Sequence, residues 1–131
     1  MFGAVSFVAV IAAAIVKIVL GMFWYSDNGF GQKWKQLSKV KPDKEKLPIA
    51  FVGMTINSVI AAFVFASFAV HMHVADIAAG FMMGLKLWFG FVMPFAMSGY
   101  FWENKQLELV FINSGYELVA LVAMGVVFGL L

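Results

Sequence analysis

The chain has 131 residues, 63% of them hydrophobic and 12% charged, and a mean hydropathy of +0.94. Soluble domains hold about 45–50% apolar and about 25% charged residues, and a chain this short cannot hide such an apolar excess from water, so a soluble fold is excluded. With no cysteine, disulfides, thiolate nucleophiles and cysteine-ligated metals are excluded as well, and the net charge of +2, carried by lysines without arginine, fits membrane topology rather than nucleic-acid binding.

The first apolar run, Phe2 to Trp24, lacks the positive leading region of a secretory signal and exceeds its usual apolar length. It reads as a retained helix, near the roughly 20 residues that cross a bilayer. The following loop, Asp27 to Leu47, carries Lys33, Lys35, Lys39, Lys41, Lys44 and Lys46. Within it Phe30, Trp34, Leu37 and Val40 recur at spacings of four, three and three, which predicts a short amphipathic helix over about 30–40 lying at the headgroups.

Three further apolar segments follow at about 48–70, 75–101 and 107–131. None shows the ten-residue alternation of a membrane barrel. The predicted fold is therefore all-α and polytopic, a single domain of four transmembrane helices over residues 1–131. The connection at His71 to Asp76 holds no lysine, whereas that at Glu103 to Glu108 holds Lys105. The positive-inside rule then puts the first and third connections in the cytoplasm and both termini outside. Trp24, Tyr25, Trp34 and Trp102 are the expected interfacial anchors, since amphipathic rings favour the headgroup layer.

The string from Leu20 to Ser26, followed by Phe30-Gly31-Gln32-Lys33-Trp34, resembles the bacterial membrane family called domain of unknown function 1761. So does the string from Asn113 to Val119 with Gly125 and Gly129 after it. The resemblance spans the chain and implies a small four-helix protein of the bacterial inner membrane with no assigned activity. The family pattern places histidine after the glycine–tyrosine pair, where this chain has Glu117.

The residues a bilayer should reject are Lys17, Lys86 and Glu117. A lysine at helix centre costs roughly 2.5–3.5 kcal/mol on insertion scales, and such groups usually face the bundle interior. At 1.5 Å per residue Lys17 sits about 10 Å from the loop end of its helix, where snorkelling suffices. Lys86 and Glu117 share a depth near mid-span and are the expected ion pair, with Asn57 and Asn113 as hydrogen-bonding neighbours. That pair either fixes packing or serves as a relay or counter-ion.

Stripes at a spacing of four run through Asn113, Glu117, Leu121, Gly125 and Gly129, through Gly53, Asn57 and Ala61, and through Ala9, Ala13, Lys17 and Gly21. Gly80 and Gly84 form a shorter one. Small residues at this spacing let helices approach closely, within one chain or between copies of a homo-oligomer. Pro94, a turn after Gly90 and a turn before Ser98, predicts a kink.

His71, His73 and Asp76 lack a fourth ligand and read as surface groups, with Asp76 at a helix start. No serine elbow, phosphate loop or zinc-protease helix occurs, so no catalytic residue, metal or cofactor is assigned. The leading expectation is an oligomeric membrane protein with an internal polar site for permeation or binding of a small solute or ion. The alternative is a structural or lipid-interacting protein whose loop lysines meet anionic lipids. A third reading is an intramembrane enzyme working from Asp27 and Glu103.

Overall fold

The computed structural model describes residues 5–39 and 44–131, apart from the Lys44 side chain. The described residues are helical, with no strand among them: α1 (Phe7–Trp24), α2 (Gly31–Ser38), a 3-10 turn (Lys44–Lys46), α3 (Leu47–His71), α4 (Ile77–Leu87), a π-helical turn (Trp88–Val92), α5 (Met93–Trp102) and α6 (Leu107–Leu130). Four helices are long and apolar enough to cross a membrane, with α4, the π turn and α5 forming one span, Ile77–Trp102.

The first span begins at Phe7 rather than Phe2 because Ser6 caps it, its hydroxyl accepting from the Ala9 amide at 3.3 Å; Phe2 lies outside the described residues. Asp76 caps α4 in the same way, accepting from the Ala79 amide at 2.7 Å, as its place in the sequence suggests. The loop helix is present over Gly31–Ser38, while Val40 and Pro42 lie outside the described residues. Trp34 packs edge-on against Tyr25 at 5.4 Å and Phe30 against Trp24 at 4.7 Å. Lys33 meets Glu108 of α6 at 2.9 Å. The apolar stripe of the loop helix therefore lies partly on the bundle.

Central to the fold is α6, flanked by α4 on one side and α1 on the other, with α3 on the far side of α1. Contacts of Trp24 with Ile112 and of Lys17 with Tyr116 make α1 antiparallel to α6. The loop end of the bundle thus collects Trp24, α2, Leu47, Trp102 and Leu107; the turn end collects His71, Ile77 and Leu130.

Small side chains hold these helices together. Ala9, Val10, Ala13 and Ala14 of α1 meet Ala62, Phe65, Ala66 and Ala69 of α3, with Met124 and Phe128 of α6 closing the cluster. Lipid tails are as apolar as leucine, so close van der Waals packing provides the attraction. The crossing of α4 on α6 is tightest. A Cβ on Gly80 would collide with the Gly125 carbonyl, and one on Gly84 with that of Leu121. Two of the stripes legible in the sequence thus face one another.

The α3 stripe behaves otherwise. Ser58, Ala62, Phe65 and Ala66 are buried, whereas Gly53 and Asn57 are exposed. The inward face of α3 is the one carrying Phe65 and the alanines, and the Gly53 face looks away from the bundle.

Pro94 has no amide hydrogen, and its ring clashes with the carbonyl four residues back, at Gly90. The chain absorbs this by widening into the π turn at Trp88–Val92 before α5 resumes. Ser98 Oγ donates to the Pro94 carbonyl at 3.2 Å.

Candidate functional site

The polar centre of the bundle lies between α1 and α6. Lys17, on the alanine stripe of α1, is 8% exposed. Its Nζ donates to the Tyr116 hydroxyl at 3.3 Å and to Glu117 Oε1 and Oε2 at 3.3 and 3.4 Å. The Tyr116 hydroxyl in turn donates to the Lys17 carbonyl at 2.8 Å. The ammonium also stands 4.7 Å from the Tyr116 ring centroid, within cation–π range. A buried ion with donors and acceptors matched in this way avoids most of its desolvation cost.

Lys17, not Lys86, is therefore the partner of Glu117. Lys86 is exposed and forms no salt bridge among the described residues. The reason is rotational. Gly80 and Gly84 set the buried face of α4, and two residues beyond Gly84 a side chain points about 200° away. Snorkelling is likewise replaced, for Lys17, by burial against Tyr116. Asn57 stands apart from the centre, on the exposed face of α3.

Asn113 belongs to the site through Tyr25, whose hydroxyl donates to Asn113 Oδ1 at 2.8 Å. Tyr25 follows α1 at the loop end, where its ring meets Tyr116 edge-on at 5.5 Å. Burial first, then the nearby Glu117 carboxylate and Tyr116, push the Tyr25 hydroxyl well above the ordinary tyrosine range. It stays a proton donor at physiological pH.

Two indoles brace α6 on either side of this network. Trp24 Nε1 donates to the Ile112 carbonyl at 2.9 Å, and Trp88 Nε1 to the Ser114 carbonyl at 2.7 Å. Trp88 opens the π turn, so the distortion caused by Pro94 also pins that turn to α6. The remaining anchor, Trp102, is exposed at the end of α5.

Glu117 also faces a cleft of about 400 Å³ between α6 and the π turn with α5. Phe91, Phe95 and Leu109 give it apolar walls, while Asn113, Ser114 and Glu117 line its floor and Lys105 also borders it. The Lys17 side chain is 10% exposed and that of Glu117 36%, so the pair is sealed on one side and open on the other.

Sequence reasoning missed Tyr116 and Trp88. A signal existed for both, because a tyrosine or tryptophan within a span must find a partner for its polar atom. Asp27 is exposed, and Glu103 pairs with Lys105 at 3.2 Å. The described residues bring the two acids into no shared contact or cleft. Nor do they contain a group of three or more His, Cys, Asp or Glu side chains placed to hold a metal.

No curated protein and no solved structure matches the chain. A family model described as "Protein of unknown function (DUF1761)" matches residues 8–129, nearly its whole length. With the helix-end aromatics, the Tyr116–Glu117 pair and the glycines of α6 all inside the matched region, the chain belongs to the DUF1761 family.

Proposed function

We propose that the protein binds a small solute in the cleft beside Glu117, as an assembly of copies in the inner membrane with the lysine-rich loop in the cytoplasm. The observation that carries this reading is the asymmetry of Glu117. Both carboxylate oxygens accept from Lys17, yet the side chain remains 36% exposed and lines the cleft together with Asn113 and Ser114. Polar groups that converge on a mostly apolar concavity are the usual signature of a ligand site. The ligand class follows from the lining: a head that donates hydrogen bonds to Glu117 and Asn113, and a compact apolar body against Phe91 and Phe95. Small amphipathic amines and alcohols fit this description.

Binding is favoured over permeation through one chain. Beyond Glu117, towards the turn end, Ala13, Ala120 and Met124 are fully buried and the buried Ser67 hydroxyl is taken up by the Val64 carbonyl, so the described residues offer no continuous polar lining. A packing role is the second reading, supported by the complete set of partners around Lys17.

The test is thermal unfolding of the purified protein with a panel of small amphipathic amines and alcohols, for wild type and Glu117→Gln. Glutamine keeps an acceptor for Lys17, so the variant should fold. Stabilisation of wild type that Glu117→Gln loses supports the binding site. No stabilisation by any compound, with no solute flux into liposomes, moves the conclusion to the packing reading.

A further inference from the structure

Asn57 lies ten residues from Leu47 and fourteen from His71, about 15 Å and about 21 Å from the ends of α3. It is exposed, and no hydrogen bond is formed by its side chain among the described residues. Its neighbours in the span differ. Thr55 donates to the Phe51 carbonyl at 2.8 Å, and Ser67 to the Val64 carbonyl at 2.7 Å. A carboxamide at this depth is too short to reach the headgroups, and hydrocarbon offers it no partner. Something must cover it.

We propose that the cover is a second copy of this chain, packed α3 to α3 about a two-fold axis along the membrane normal, with the two Asn57 carboxamides hydrogen-bonded across the seam. Three features select this occupant. A carboxamide carries both donors and an acceptor, so it pairs with itself, which a lone ammonium or carboxylate cannot do. A two-fold axis along the normal sets every residue at the same depth as its own copy, so the match needs no further adjustment. One turn away, Gly53 has nothing within 4 Å of where its Cβ would stand, leaving room for a second backbone.

The opposite outer face is unsuited to the same axis. It carries Lys86, nine residues into α4, and a two-fold contact there would set two ammonium groups together. The pairing specifies the assembly within the proposed function and does not depend on the cleft. Its test involves no solute, so the two readings fail separately.

Because the chain has no cysteine, Gly53→Cys, Asn57→Cys and Phe89→Cys can each be made in the full-length protein and oxidised in native membranes with copper–phenanthroline. Disulfide-linked dimers at positions 53 and 57, but not at 89, are expected. In lipid at increasing dilution, Asn57→Leu should weaken dimerisation by up to about tenfold while helix content is unchanged. Gly53→Leu should block the dimer without unfolding the monomer. Cross-linking at 89 rather than at 53 and 57 would overturn the proposal. So would a dimer that survives both leucine variants, or a wild-type protein monomeric at every dilution.

Discussion

Lys17 Nζ stands 3.3 Å from Glu117 Oε1, joining α1 to α6 across a sequence separation of 100 residues. Removing one partner leaves the other charge in a low-dielectric setting, a loss of about 3–5 kcal/mol for a buried pair. Lys17→Met should fall at the low end, because Glu117 keeps its opening to the cleft. Glu117→Leu should fall at the high end, because it strands the sealed ammonium. The double variant should cost less than the sum, measured as a double-mutant cycle by reversible unfolding in detergent.

Lys86→Met is expected to leave stability within about 0.5 kcal/mol of wild type, since Lys86 forms no salt bridge among the described residues. Membrane insertion should improve, as the outward-facing lysine is removed. A loss matching that of Lys17→Met would put Lys86 back in the polar centre.

The glycine seam gives a paired test. Gly84→Leu or Gly125→Leu drives a side chain into the facing backbone and should cost at least about 3 kcal/mol or prevent folding. Gly90→Leu, with nothing within 4 Å of its Cβ position, should leave the unfolding midpoint unchanged.

Tyr25→Phe removes the hydrogen bond to Asn113 and should lower stability by about 1 kcal/mol. The pH dependence has a definite sign. The folded state holds the Tyr25 proton above the ordinary tyrosine value of about 10. This contribution is therefore fully present below that value and is lost as pH rises beyond it. Absorbance titration should show one fewer late-ionising tyrosine in Tyr25→Phe than in wild type, and the alkaline fall in stability should be shallower in the variant.

The four apolar spans and their order were legible because each rests on local chemistry, whereas the Ser6 cap that starts α1 at Phe7 was not foreseen. Apolar length marks a span, Asp76 caps a helix, and Pro94 disturbs one. That Gly80, Gly84 and Gly125 lie on close-packing faces was legible too, since stripes at a spacing of four mark a side suited to close approach, but that these faces meet one another was not. Depth alone was a weaker guide. Lys86 and Glu117 have nearly equal depth, but depth says nothing of rotation about the helix axis. The relation of Lys86 to the Gly80–Gly84 face carried that information. Lys17 shows the converse: its nearness to the headgroups suggested snorkelling, yet its stripe with Ala13 and Gly21 turns inward and buries it. Asn57 follows Gly53 on an equally regular stripe, yet that stripe faces out. Periodicity reveals that a face is special, not which neighbour it meets.

The most direct test of an open Glu117 is labelling in native membranes with dicyclohexylcarbodiimide, a lipid-soluble carboxyl reagent, read by mass spectrometry of the α6 peptide. The predicted result is modification at Glu117 that a water-soluble carbodiimide does not produce, with little at any other carboxylate. No labelling even once Lys17 is replaced, when no ammonium holds the carboxyl ionised, would show that Glu117 is closed to the cleft and would contradict a binding cleft there.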